Sequence, residues 1–288
     1  MTYGGIEAGG TKWVCAIGEG PDNLEQLTII ATTTPKETLG AAARFFAANG
    51  DLVGLGVGSF GPIDLARGRI TNTPKDGWMN TDVVGSLTDA LCVPVSFDTD
   101  VNAAALGEAR WGAAVGLETF SYITVGTGIG GGGMANGRLM HGLLHPELGH
   151  MRVPHDRERD PFAGVCPFHG DCLEGLASGR AIAMRWGRPG EELVDDERVW
   201  ELEAEYLAHG VLNAVAVLSP QRVLLGGGVM RAPTLLARVR KRVVELAAGY
   251  FDAPELTSSI GEYVVTPLLG ERAGVVGALE LARADAAH

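Results

Sequence analysis

Apolar residues along this chain fall into short blocks that end on glycine, proline or an acid, a pattern of strands and turns interrupted by a few helical stretches. Ile6 opens a strand that breaks at Gly9-Gly10 and resumes through Lys12 to Ile17, which predicts a hairpin with a glycine-rich turn. A second strand over Tyr122 to Val125 turns through Gly126-Thr127-Gly128-Ile129-Gly130-Gly131 and resumes toward Met134, echoing the first. Two such turns, far apart in the chain, predict duplicated α/β lobes facing one nucleotide. Between them lie a short strand over Leu52 to Val57, a loop-like stretch through Thr73 to Trp78, and a strand over Val93 to Phe97. Asp98-Thr99-Asp100 then leads into an alanine-rich helix over Asn102 to Arg110. Acids at such strand-to-helix junctions commonly line a ligand crevice. Val223 to Leu225 running into Gly226-Gly227-Gly228 forms a third strand-to-glycine junction, and Leu235 to Leu246 and Gly274 to Ala284 read as helices.

The 288 residues suffice for one large or two ordinary domains, with 46% apolar and 20% charged residues. A net charge of −12 opposes extended contact with nucleic acid, yet leaves room for a local set of amides and a cation around ATP. Met1 runs directly toward the first strand without a basic and apolar leader, and the apolar runs are too short to span a bilayer, so a cytoplasmic location without membrane contact is expected. Cys15 and Cys92 sit in strand-like runs while Cys166 and Cys172 flank a histidine, which is not a disulfide framework.

Three features bear on chemistry. Gly9, Gly10, Thr11 and Lys12 offer amides, a hydroxyl and a cation that phosphate can approach, although ordinary turn use explains the glycines equally well. Gly126, Thr127 and Gly128 lack the Gly-Lys-Ser/Thr of a Walker loop and do not open a helix as a dinucleotide turn should. The third signal is more specific: Cys166, His169 and Cys172 are spaced as zinc ligands in a loop bearing proline and glycine. His150 or His155, just upstream, supplies a fourth, and a closed four-ligand set implies a structural Zn2+. Two free thiols beside a surface histidine is the plainer alternative. Glu174 follows Cys172 by two residues, either as a site acid or as an acid at a helix N-terminus.

Taken in order, Glu-Ala-Gly-Gly-Thr-Lys at 7 to 12, Asp-Val-Asn-Ala-Ala-Ala-Leu-Gly-Glu at 100 to 108, Gly-Thr-Gly at 126 to 128 and Glu-Leu-Gly-His at 147 to 150 resemble the ROK sugar kinases. The run at 166 to 175 further resembles the bacterial fructokinase branch, in which histidine replaces one cysteine of the zinc loop. The resemblance implies a two-lobed actin-like, ribonuclease-H-like α/β fold with a central cleft, one lobe from 1–112 plus 272–288 and the other from 113–271. It implies ATP and Mg2+ as cofactors, a homodimer, and phosphorylation of a sugar, fructose first, with mannose, glucose or a non-catalytic sugar sensor as alternatives. Asp100 matches the catalytic base, Glu147, His150 and Glu174 match sugar ligands, and His150 would serve sugar and zinc together. Gly9 to Lys12 and Gly126 to Gly128 match phosphate turns, and Gly226, Gly227 and Gly228 match the adenosine side. Two departures are Glu7 where many relatives carry aspartate, which leaves magnesium positioning open, and Thr99 where glucokinases carry asparagine. Asn102 either compensates or caps the helix. The Thr73 to Trp78 stretch either touches sugar or is a plain surface loop. A DNA-binding repressor of the same family is disfavoured, because the chain begins directly on the phosphate turn and carries an acidic balance.

Overall fold

The hairpin around Gly9-Gly10 forms as β1 (Tyr3–Ala8) and β2 (Lys12–Gly20), antiparallel with Ile6 opposite Cys15. In the computed structural model, which describes residues 2–286, this hairpin belongs to one of two units. The first comprises Met1–Gly116, Leu139–His145 and Leu268–His288, and the second Leu117–Arg138 and Pro146–Pro267.

In the first unit the chain continues through β3 (Asn23–Ala31), α1 (Pro35–Ala48), β4 (Gly54–Ser59), the small β5 (Ile63–Asp64) and β6 (Arg69–Ile70), α2 (Val83–Leu91), β7 (Val95–Thr99) and α3 (Asp100–Trp111). Its main sheet has the order β3-β2-β1-β4-β7, with β1, β4 and β7 parallel. β1 and β4 are buried almost throughout, as expected of strands covered on both faces, whereas the edge strand β3 is largely exposed. The C-terminal helix (Ala273–Ala286) lies against β1 and β4 so closely that a Cβ on Gly56 would fall on the carbonyl oxygen of Ala278. It crosses α3 as tightly, since a Cβ on Gly277 would fall on the carbonyl oxygen of Ala103. Ile6, Trp13, Leu55, Val57 and Trp78 are among the core residues on this unit's sheet.

The second unit repeats the plan. β8 (Phe120–Val125), β9 (Ile129–Ala135), β10 (Arg138–Leu139), α4 (Leu173–Ala177), α5 (Gly179–Trp186), α6 (Glu197–Leu218), β11 (Val223–Gly226), α7 (Leu235–Ala247), α8 (Ile260–Tyr263) and β12 (Val264–Val265) follow in order. The sheet order is β10-β9-β8-β11-β12, with β8 and β9 antiparallel and β8, β11 and β12 parallel. Position for position this is the first sheet again, the duplicated ribonuclease-H-like plan expected of an actin-like fold. Ile123, Val125, Trp200, Tyr206, Val211 and Leu225 are among the residues of its core.

One local expectation needs correction. The helix after β7 begins at Asp100 rather than Asn102, because Thr99 caps it: its Oγ accepts from the Asn102 amide at 3.1 Å. Asn102 therefore does not cap. The Thr73 to Trp78 stretch is a loop, as expected, but Trp78 at its end is not on a plain surface: it is fully buried, packs 5.6 Å from Trp13 and 5.5 Å from Phe60, and donates Nε1–H to the Thr33 carbonyl. Among the described residues no helix is long and apolar enough to cross a membrane.

Candidate active site

In the first unit, the turn between β1 and β2 closes through the Gly9 amide donating to the Lys12 carbonyl at 3.0 Å, and Thr32 Oγ donates to the Gly9 carbonyl at 2.7 Å. Gly10, Thr11 and Lys12 face solvent. A Cβ built on Gly10 would meet nothing within 4 Å, so no packing inside the chain requires glycine there. Glu7 lies beside this turn at the end of β1. Burial pushes its carboxyl above the ordinary range while the Lys12 charge opposes the shift, and its Oε2 has no hydrogen-bond partner.

Asp100 occupies the first turn of α3, where the partial positive charge of the helix N-terminus favours an ionised carboxylate. Its Oδ1 accepts from the Val101 amide at 2.9 Å. Its neighbour Asp98 carries no motif signal of its own in the sequence. This residue is buried, its Oδ1 accepts from the Thr99 amide (2.7 Å) and Asn102 Nδ2 (3.0 Å), and its Oδ2 lies 2.8 Å from His141 Nε2. That hydrogen bond raises the His141 pKa against the opposing effect of burial. His141 carried no signal in the sequence, being a lone histidine in a loop.

In the second unit the turn between β8 and β9 closes through the Gly126 amide donating to the Gly128 carbonyl at 2.8 Å, while the Gly126 and Thr127 carbonyls accept from the Gly179 and Arg180 amides at the start of α5. Glu174, in the first turn of α4, accepts from the Ile129 amide through Oε2 at 3.0 Å. The short turn Leu148–His150 meets the same strand end, for a Cβ on Gly149 would fall on the Ile129 carbonyl oxygen. Glu174, the Glu147 to His150 segment and the Gly126 to Gly128 turn are thereby gathered around Ile129. At the end of β11, Gly227 adopts φ +94° over the Val125 carbonyl, with no room for a side chain, whereas Gly228 faces open space.

Beside this cluster His150, Cys166, His169 and Cys172 bring four ligand atoms within 4.8 Å of one another, an arrangement that could hold a metal ion. The loop is built for it. Cys166 and Gly170 exchange backbone hydrogen bonds of 3.2 and 2.9 Å, Gly170 takes φ +65°, and the His169 amide points at Cys166 Sγ. His150 Nδ1 is 3.3 Å from His169 Nδ1, 3.5 Å from Cys172 Sγ and 3.7 Å from Cys166 Sγ. Burial pushes the Cys172 thiol up to about 11, so a thiolate there calls for a cation. His155 is placed elsewhere, between Asp171 Oδ2 at 3.2 Å and the Asp160 carbonyl at 2.9 Å.

Two α/β sheets of one strand order, each with a glycine turn between its first two strands, define a protein of the actin-like ATPase fold class. A ROK family profile matches residues 3–285, and the chain belongs to that family. A fructokinase of Zymomonas mobilis is 44% identical over 295 residues, covering 98% of this chain and 96% of that protein. A fructokinase of Lactococcus lactis subsp. cremoris is 42% identical over 274 residues, covering 93% and 92%. The crystal structure of a ROK family glucokinase from Streptomyces griseus in complex with glucose and AMPPNP superposes with a TM-score of 0.80 at 25% identity, covering 99% of this chain and 100% of that one.

Proposed function

We propose that the protein is an ATP-dependent fructokinase that converts fructose to fructose 6-phosphate. The observation that carries this reading is identity of 42–44% to two fructokinases over nearly the whole chain, against 25% to the glucokinase. In the reaction Asp100 accepts the proton of the sugar's 6-hydroxyl as its oxygen bonds to the γ-phosphorus, and ADP leaves with the electrons of the broken bond. The turns at Gly9 to Lys12 and Gly126 to Gly128 hold the phosphates, through amides other than those of Gly9 and Gly126 that close them, and Gly226 to Gly228 the adenosine side. A magnesium ion bound with the triphosphate would supply further charge neutralisation.

Glu147, His150 and Glu174, exposed or partly buried in the free chain, are assigned to sugar hydroxyls, and a bound isomer that covers one of them without pairing it is penalised. His150 turns Nδ1 to the Cys/His cluster, which leaves Nε2 for sugar. The cluster is assigned as a zinc site. With nitrogen at about 2.0–2.1 Å and sulfur at about 2.3 Å in a tetrahedron, N···N comes to about 3.3 Å and N···S to about 3.6 Å. The corresponding separations here are 3.3 Å and 3.5–3.7 Å. A closed set of four protein ligands makes the role structural. By likeness to the family the reading extends to a cytoplasmic homodimer, and light scattering at the monomer mass of 30.1 kDa would remove the dimer.

ATP consumption with magnesium, measured across fructose, mannose, glucose and N-acetylated amino sugars with identification of each product, tests the reading. Dominant fructose 6-phosphate is expected. A different hexose phosphate would correct the substrate, and sugar binding without turnover would replace the kinase by a sensor.

A further inference from the structure

The phosphoryl-transfer reading leaves one acid–imidazole pair unused. Asp98, one residue before the end of β7 and two before Asp100, is 3% exposed and directs both carboxylate oxygens at partners within the first unit. Oδ1 takes the Thr99 amide and Asn102 Nδ2, which ties the carboxylate to the residue that caps α3 and to the helix's first turn. Oδ2 takes His141 Nε2 at 2.8 Å.

The imidazole is delivered from far along the chain by the segment Leu139–His145, which joins the first unit. That segment is pinned at two places. His141 holds one, and at the other the buried His145 accepts the Ile63 amide on Nε2 at 3.0 Å. Leu143 and Leu144 between them are exposed and contribute nothing to the core. Met140 of the segment is buried, and its polar contacts at the junction of β7 and α3 are His141 Nε2 to Asp98 and the Met140 carbonyl within 3.4 Å of Asn102 Nδ2.

An ionised carboxylate only accepts, so the hydrogen between it and His141 belongs to Nε2, and Nδ1 is the atom that gains or loses a proton. Asn102 Nδ2, 3.3 Å from His141 Nε2, is a second donor aimed at the same acid, through its other oxygen. Of the groups facing the ring, Asp98 from β7 is the charged one and Asn102 from α3 is neutral. The hydrogen bond to Asp98 favours the imidazolium, so the cation persists to higher pH than that of an isolated histidine.

We propose that His141 is a positioning residue for phosphoryl transfer: its imidazolium neutralises Asp98, so that Asp100 keeps the base strength of a carboxylate without a charged acidic neighbour. The proposal rests on reading Asp100 as the general base. Without the cation, a buried negative charge two residues away on the same junction disfavours ionisation of Asp100 and raises its pKa. With it, Asp98 still organises the helix start through its hydrogen bonds but adds no net charge.

The test is the pH dependence of kcat/KM for fructose at saturating ATP and magnesium, on the full chain and the variants His141→Gln, Asp98→Asn and Asp100→Asn. Ionisation of the nucleotide is common to all and cancels in the comparison. His141→Gln retains a donor and loses the charge, so its acid limb should move up by about half a unit to one unit, a loss of about 3–10-fold on the limb. Its alkaline plateau should stay within about threefold of the parent, because Asp100 is ionised there in both. Asp98→Asn removes the negative charge instead and should move the limb the opposite way. Limbs superimposed on the parent's, limbs that move in the same direction, or a uniform loss at every pH would overturn the proposal, since a merely structural role produces one of these. Should His141→Gln fail to fold, the direction of the Asp98→Asn shift decides. Asp100→Asn separates the two readings. If that variant turns over normally, the base assignment itself falls; if it is inactive while the His141→Gln and Asp98→Asn limbs stay unmoved, the role of His141 alone falls.

Discussion

Glu108 offers a direct test of what holds the helix carrying Asp100. Its side chain is fully buried near the end of α3 and accepts three backbone amides: Ala113 at 2.6 Å and Leu268 at 3.0 Å on Oε2, and Leu269 at 2.8 Å on Oε1. It thus joins α3 to the stretch where the chain returns before the C-terminal helix. Glu108→Ala leaves these donors without a partner, at about 1–3 kcal/mol each. The Leu268 side chain is exposed, so water reaches that amide and the other two sum to about 2–6 kcal/mol. For a domain of this size that lowers Tm by about 5–20 °C. Glu108→Gln keeps the oxygen facing Ala113 and Leu268 but sets an NH2 against the Leu269 amide, so about half the loss is expected. Thermal melts followed by circular dichroism, with calorimetry to resolve the units, read both. An alanine variant melting within about 2 °C of the parent would refute the reasoning, because buried orphaned amides cannot be that cheap.

Asp100→Asn should lower kcat by about 100- to 10,000-fold with fructose KM little changed, measured by coupled ADP release; near-normal turnover rejects the base. Metal analysis should return about one zinc per chain, lost together with several degrees of Tm in Cys172→Ser, and a folded protein free of metal would reject the site. Glu203, fully buried with both oxygens unpartnered, has its carboxyl raised by desolvation against the opposing charge of Arg185. Its contribution to stability is therefore present below the unfolded carboxylate pKa and lost as pH rises toward the folded one, so Glu203→Gln should raise Tm at pH 8 more than at pH 5. Gly10→Ala should melt like the parent and raise KM for ATP, while Gly277→Ala, whose Cβ meets the Ala103 carbonyl, should lose about 1–3 kcal/mol or more in a chemical melt. Equal stability of these two variants would show that the glycines have been sorted wrongly.

The strands, the glycine breaks and the repeat of the hairpin were legible because their signals are local: an apolar run, a turn residue, and another run. The Cys/His loop was legible for the same reason, with Cys166, His169 and Cys172 inside seven residues. The family resemblance already favours His150 over His155, and tertiary structure adds what removes His155, its engagement by Asp160 and Asp171. The loop around Pro74 and Gly77 was legible, but the burial of Trp78 was not, because the space it fills is made by Trp13 and Phe60. The start of α3 was placed two residues late because alanines mark the helix interior and the threonine cap before them went unused.

What no local pattern could supply is the pairing of Asp98 with His141 across 43 residues. Neither residue has a spacing that announces it, and the segment carrying His141 crosses from the second unit's sheet into the first unit. The glycines show the same limit in another form. Gly9, Gly10, Gly226, Gly227 and Gly228 look alike as sequence, yet Gly227 is required by its φ of +94° and the Val125 carbonyl, whereas nothing in the chain requires Gly10 or Gly228. A glycine that the fold does not need, at the exposed end of a strand, is where a ligand's approach becomes the better explanation. By that argument Gly10 and Gly228 carry more of the nucleotide assignment than Gly227, although the motif alone ranks them equally.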